Sequence, residues 1–115
     1  MSNINQGKAA GGVDRTELPT NKNIAPPVVD TPTKNDNVRN PVKFSGTALP
    51  GWQVVVVKVP IDGTELTSVD AGVDGKWSND VALEIGNYSA VAFQTMGRER
   101  SPFTDIFDFK VSDGQ

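Results

Sequence analysis

The chain has 115 residues, with 11 basic and 14 acidic side chains and a formal net charge of −3. This length is typical of one domain, and the mild charge argues against nucleic-acid binding, which needs a clustered basic face. The sequence contains neither Cys nor His. It therefore lacks disulfides, thiolate nucleophiles, the usual general base and the commonest metal ligand. We expect no enzymatic activity and no cofactor.

The beginning of the chain, MSNINQGKAAGG, has no apolar segment of the kind that a secretory signal carries. No apolar run in the sequence approaches the roughly 18 residues of a membrane helix. We therefore expect a protein that has no membrane contact and is assembled in the cytoplasm.

Residues 1–40 are rich in Asn, Pro, Thr, Gly and Lys, lack aromatic residues, and carry five basic and four acidic side chains. Such a composition buries too little apolar surface to offset the entropy lost on ordering. We expect residues 1–40 to form a flexible, largely irregular arm or linker, with a short edge strand near residues 28–29. Two interpretations stay open: a solvated tail, or a docking arm that orders on a partner.

Residues 41–115 hold all eight aromatic residues and a series of turn signals: LPG, DGT, VDG, IGN and MGR. Short β-rich runs separated by such turns are typical of an all-β sandwich domain. The alternation of apolar and polar residues predicts strands over 42–48, 53–59, 65–71, 77–83, 88–95 and 106–112. With the edge strand, the fold has about seven strands.

Two turns in this region show which side chains point inward. The Asp-Gly pair of VDGKW supplies the positive φ of a tight hairpin, and Trp77 then begins a strand. The segment LEIGNY repeats the device, with Tyr88 entering the core after the turn. The alternative for the aromatic rings is a ligand platform. The predicted core consists of Phe44, Val54, Val56, Trp77, Val81, Leu83, Tyr88, Phe107 and Phe109.

With these motifs in order, residues 42–112 resemble the bacterial Ig-like repeats of large adhesins and other surface proteins. The motifs are FSGTALPGWQVVVV, then DAGVDGKWSNDVALEIGNYSAVAFQT, then RSPFTDIFDFKV. The resemblance implies an Ig-like β-sandwich. It leaves the function open, because such modules serve adhesion, spacing and display alike.

The chain departs from the family pattern in two ways. The family has a small residue after the Pro-Gly pair, where this chain has Trp52, and its repeats occur in tandem, whereas this chain has one copy. A single module with an arm resembles an accessory (decoration) protein of a phage or phage-like particle, on the virion surface, bound to a shell or tail subunit or self-associated. The alternative is a carbohydrate-binding or cell-adhesion module at the cell surface, using Trp52, loop aromatics and Ca²⁺ to bind glycans weakly.

One face of the predicted sandwich is unusually apolar. If Val54 and Val56 point into the core, the alternate residues of the same and neighbouring strands point outward. An exposed apolar sheet face marks an interface. Two alternatives stay open: the arm covers the face, or the register is shifted by one. The predicted partner-binding residues are Val55, Val57, Val59, Val91, Phe93, Ile106 and Trp52.

Carboxylates are the remaining candidates for chemistry. Asp70, Asp74 and Asp80 lie near one another in sequence, but the segment lacks the Glu that ends an EF-hand loop. We assign them to turns, with a weak calcium site completed by backbone carbonyls as the alternative. Asp105 and Asp108 lie three residues apart on a predicted strand, so they point to opposite faces and do not form a catalytic pair. No catalytic or metal residue is predicted.

Overall fold

The computed structural model describes residues 15–112, which form one 3₁₀ turn and nine strands. The turn spans Arg15–Glu17. The strands are β1 (Val28–Thr31), β2 (Asp36–Arg39), β3 (Val42–Thr47), β4 (Gln53–Lys58), β5 (Glu65–Asp70), β6 (Lys76–Val81), β7 (Gly86–Met96), β8 (Glu99–Arg100) and β9 (Phe107–Ser112). Seven of them overlap the predicted strands, and β2 and β8 are additional.

The strands form two sheets that pack into an all-β sandwich. One sheet has the order β1-β3-β6, and the other has the order β2-β9-β7-β4-β5, with β8 paired to β7. Most pairs are antiparallel, but β2 runs parallel to β9. The predicted all-β sandwich is therefore confirmed.

The main core lies between the sheets and is formed by the side chains that point inward from each strand. In β3, Val42 and Phe44 are buried while Lys43 is exposed. Of the nine predicted core residues, six are buried, namely Phe44, Val54, Val56, Trp77, Phe107 and Phe109. The other three, Val81, Leu83 and Tyr88, are partly buried and pack against this cluster.

Aromatic rings make up much of the core. Phe109 stacks on Tyr88 with ring centroids 5.3 Å apart and meets the edge of Phe44 at 5.9 Å. The Tyr88 hydroxyl donates to the carbonyl of Glu84, so the ring packs in the core while its polar end is satisfied. Tyr88 thus packs against the core, as the sequence predicted, and not as the alternative ligand platform.

Two glycines hold positions that no other residue fits without a shift of the backbone. A Cβ at Gly46 would lie 1.8 Å from the carbonyl oxygen of Val28, so Gly46 allows β1 to pair closely with β3. Gly75 has a φ of +80°, and a Cβ there would lie 2.7 Å from the oxygen of Ala48. The turn predicted from VDG thus also provides close contact with the β3–β4 loop.

The predicted boundary at residue 40 is wrong for the part of the arm that the structure describes. Residues 28–31 pair with β3, and residues 36–39 pair with the last strand of the other sheet. Val29 and Val38 pack against the main core. The segment has a polar composition, but pairing with distant strands satisfies its backbone groups. One of its apolar side chains, Val29, enters the core from the smaller sheet, and Val38 enters from the larger sheet. Residues 1–14 of the predicted arm lie outside the described residues.

Removal of residues 1–40 tests this boundary. We expect the fragment 41–115 to lose several kcal/mol of the roughly 5–15 kcal/mol that stabilises a domain, because it loses two paired strands and uncovers the core edge. Urea denaturation followed by tryptophan fluorescence compares the fragment with the full chain. An equal midpoint for the two would show that residues 15–40 are a dispensable arm.

Candidate functional site

A second hydrophobic cluster lies on the outer face of the larger sheet. Its buried members are Val55, Val57, Val91 and Phe93, and it is separate from the main core. Val55 lies directly opposite Phe93, and Val57 lies opposite Val91, across the β4–β7 pair. The outer face of these two strands is therefore apolar, with the register that places Val54 and Val56 in the main core.

The sequence predicted that this face would be exposed, and that expectation is wrong. The four buried members are at most 4% exposed. Val59 is half-buried, and with Phe103 it packs against the cluster. Phe103 meets Phe93 at an angle of 68°, with ring centroids 5.7 Å apart. The outer face of an antiparallel sheet is usually polar and solvated, so an apolar outer face is stable only when other residues cover it. Here Val59 and Phe103 provide part of that cover.

Arg100 is the central polar residue over this face. Its side chain is buried, and its guanidinium carbon lies 4.2 Å from the ring centroid of Phe103 and 5.5 Å from that of Phe93. Nε donates to the carbonyl of Thr16 at 3.0 Å, and Nη1 donates to the carbonyl of Ser101 at 2.8 Å. Cation–π contact and charge-assisted hydrogen bonds compensate for the desolvation of the charge.

Desolvation lowers the pKa of Arg100 from its ordinary value. A guanidinium nevertheless remains protonated in proteins. Arg100 is therefore a permanent buried cation that contacts two aromatic rings and two backbone carbonyls, and its role is to hold the segment at Thr16 against the sheet.

Arg15 also contacts the larger sheet, at β4 and β5. Its guanidinium forms a bidentate ion pair with Glu65, with Nη2 2.9 Å from Oε1, and Nη1 donates to Oε1 of Gln53. Gln53 is on β4 and Glu65 is on β5, so Arg15 links two paired strands, of which β4 also carries Val55 and Val57. Both charged side chains are about a quarter exposed, so screening by water reduces the contribution of this pair.

Backbone hydrogen bonds continue this attachment beyond Thr16. The Arg100 amide donates to the carbonyl of Pro19, and the Asn21 amide donates to the carbonyl of Arg100. Nε2 of Gln94 donates to the carbonyl of Ala25 at 2.7 Å. Residues 15–25 thus follow the β7–β8 hairpin, with Thr20 in a parallel bridge to Arg100. The side chains that pack against the second cluster are those of Val59 and Phe103, and the N-terminal segment is linked to this face through the hydrogen bond from Arg100 to Thr16.

The remaining predicted partner-binding residues lie elsewhere. Ile106 is 46% exposed and lines a groove of about 320 Å³ between β1 and the segment before β9, with Val29 and Pro32 on the opposite wall. Nζ of Lys34 lies 3.5 Å from the carbonyl of Ile106. Trp52 is half-buried at one end of the sandwich. The predicted set is therefore divided among three locations.

The end that carries Trp52 has a patch that sequence reasoning missed. We define the loop end as residues 48–52, 71–75 and 96–98, which join β3 to β4, β5 to β6 and β7 to β8. Large apolar side chains are exposed in each of the three segments: Leu49 (41%), Val73 (98%) and Met96 (47%). The available signal was an apolar residue inside each turn motif, in ALPG, AGVDG and TMGR.

The carboxylates occupy structural positions. Oδ1 of Asp74 accepts from the Lys76 amide at 3.0 Å, which is turn chemistry, and Oδ1 of Asp108 accepts from the Ser89 hydroxyl. Within residues 15–112, no three carboxylates converge in a way that could hold a metal ion. In the same range, no helix has the length and apolar character needed to cross a membrane.

No protein-family model matches this chain, and a comparison with curated proteins likewise finds no match.

The first test concerns the burial of the second cluster. Val57→Lys and Phe93→Lys should each lower the free energy of unfolding by at least about 3 kcal/mol, because each places a charge at a desolvated position. Val73→Lys is the matched control, since an exposed site tolerates a charge within about 0.5 kcal/mol. Thermal denaturation measures all three. Wild-type melting of the Val57 and Phe93 variants would show that the face is open in solution.

Arg100 gives a second test. Arg100→Lys should destabilise the protein by about 1–3 kcal/mol, because lysine keeps the charge but loses the planar contact with both rings and the geometry of the two carbonyl bonds. Arg100→Met removes the charge and leaves both carbonyls without this donor. Hydrogen exchange should accelerate at Leu18 and Asn21 and stay slow in β3 and β6. Unchanged exchange at residues 18–21 would contradict the assigned role.

Proposed function

We propose that the protein is a non-enzymatic structural module that attaches to a larger protein assembly through its N-terminal residues and displays the sandwich. The assembly that best suits this arrangement is a phage or phage-like particle, with the protein as an accessory component on the virion surface. The protein partner would be a shell or tail subunit.

The observation that supports this proposal is that the first described residues of the N-terminal segment are bound to the sandwich. Arg15 and Thr16 are held against the larger sheet by the Glu65 ion pair and by the buried Arg100 guanidinium. A tether holds a displayed domain in a defined position only if the tether emerges from a fixed point on the surface of that domain. The anchored residues 15–25 meet this requirement, and the polar, Gly-rich residues 1–14 precede them as the attaching segment.

The apolar face has a different role in this proposal from the one that the sequence suggested. A partner that bound Val57 and Phe93 directly would first have to displace Phe103 and the Arg100 guanidinium, which hold Thr16 beside this face. We therefore assign the face to anchoring the arm within the protein and assign attachment to residues 1–14. The lack of Cys and His in the sequence supports a module without catalytic activity.

Blocking the N-terminus tests the proposal. A folded fusion domain placed before Met1 should abolish co-sedimentation with particles from cells that make the protein, and the same domain after Gln115 should not. Removal of residues 2–10 should also abolish attachment, with the melting temperature reported beside it so that loss of fold is recognised. Equal co-sedimentation of the two fusions, or a wild-type protein that stays free of any assembly, would reject the proposal.

Trp52 favours a second candidate, a carbohydrate-binding or cell-adhesion module. Its ring is partly exposed at the loop end, where a sugar could stack on it. Titration of the free protein with a panel of soluble glycans, followed by Trp52 fluorescence, separates the two functions. Saturable shifts that Trp52→Ala abolishes would support adhesion, and their absence would leave the structural module.

A further inference from the structure

Residues 15–25, which we call the anchor segment, bind the larger sheet as an added strand at the edge of β8. The amide of Arg100 on β8 donates to the carbonyl of Pro19 at 3.0 Å, and its carbonyl accepts from the amide of Asn21 at 2.8 Å. These two bonds flank Thr20, which forms a parallel bridge with Arg100. A strand that is distant in sequence therefore occupies the edge of β8.

Side-chain contacts hold both ends of the anchor segment. At its first residue, the guanidinium of Arg15 pairs with Glu65 on β5, with Nη2 2.9 Å from Oε1. At its last residue, the carbonyl of Ala25 accepts from Nε2 of Gln94 on β7 at 2.7 Å. The sandwich therefore has a defined binding site for an extended peptide, and the chain fills that site with its own segment.

The attachment of the anchor segment is polar. None of residues 15–25 is buried, and none of them belongs to either hydrophobic cluster. The net contribution of each hydrogen bond is modest, and water screens the partly exposed ion pair. The anchor segment can therefore leave its place while both hydrophobic clusters stay packed.

Two prolines join the anchor segment to the rest of the sandwich. Ala25 is bound to the larger sheet, whereas Val28 begins β1 in the smaller sheet, so Pro26 and Pro27 cross from one sheet to the other. A proline has a fixed φ, and it restricts the preceding residue to extended conformations. The connection is thus short and stiff, and it can equally well direct the anchor segment away from its own sandwich.

We propose that two copies of this chain exchange their anchor segments, so that residues 15–25 of each copy bind β5, β7 and β8 of the other. Every contact of the single chain is then made between copies, and the exchange changes the free energy mainly through the cost of association. Because the contacts are equal, exchange competes at concentrations near the effective concentration of a tethered segment, which is of millimolar order. The exchange needs only this chain, so its test is separate from that of the proposed attachment to a particle.

A segment of another protein fits the site less well. It would need a basic residue opposite Glu65 and backbone groups at the spacing that separates Arg15 from Asn21. A second copy of this chain meets both requirements, because it carries the same segment. We therefore assign the site to a second copy.

Charge reversal at the ion pair tests the exchange. Arg15→Glu and Glu65→Arg each bring like charges together within one chain, whereas an exchanged dimer of the two variants has opposite charges at both sites. If each pair changes the equilibrium by about fivefold, the mixture dimerises about 25-fold more tightly than the wild type. Sedimentation equilibrium at about 100 µM should show this dimer, and native mass spectrometry should identify it as a heterodimer.

The matched control carries both substitutions in one chain. Arg15→Glu with Glu65→Arg restores the ion pair within the chain, so this double variant should be monomeric at the same concentration and melt like the wild type. A mixture of the single variants that stays monomeric would overturn the proposal. Homodimers of either single variant as abundant as the heterodimer would also overturn it, since they require a different contact.

A synthetic peptide of residues 15–25 tests the binding site independently. Followed by fluorescence anisotropy, the labelled peptide should bind the full-length Arg15→Glu variant at least about fivefold more tightly than the full-length Glu65→Arg variant. The reason is that the first variant repels its own segment, whereas the second repels the peptide. Equal binding to both variants would overturn the proposal. Peptide binding without a heterodimer in the mixture would assign the site to a segment of another protein and would likewise overturn the exchange.

Discussion

The buried guanidinium of Arg100 joins parts of the chain that are far apart in sequence. It contacts the rings of Phe93 on β7 and of Phe103 in the segment between β8 and β9, and its charge is stabilised by these rings and by the carbonyls of Thr16 and Ser101. Thr16 is 84 residues from Arg100 in the chain. The N-terminal segment and the second hydrophobic cluster both depend on this interaction, since a buried cation without these acceptors would be strongly unfavourable.

A consequence is that the central strands of the larger sheet are buried on both faces. Val54 and Val56 belong to the main core, and Val55 and Val57 belong to the second cluster. Strands buried on both sides read as continuous apolar runs rather than as alternating ones, which explains the VVVV of β4. On the outer side of these strands the burial comes in part from Phe103 and Val59, with the Arg100 guanidinium over the rings.

The burial of the second cluster means that this face is not available to a partner, in contrast to the apolar side chains that are exposed elsewhere. The face that sequence patterning offered to a partner is used within the chain, where it fixes the direction in which the N-terminus leaves the domain. Exposed apolar side chains occur elsewhere, among them Leu49, Val73 and Met96 at the loop end.

The sequence alone determined the features that depend on local chemistry. Period-two alternation and Gly-containing turns located β3, β4, β5, β6, β7 and β9, usually within one or two residues, and identified Phe44, Trp77 and Phe109 as core. The tertiary structure decided what depends on distant partners. The segment of β2, DNVR, has one apolar residue and becomes a strand only by pairing with β9, and the cover of the second cluster depends on Phe103 and on the cation–π contacts of Arg100. Such contacts leave no local pattern, because the burial of a polar segment is set by the acceptors and rings that the rest of the fold brings to it.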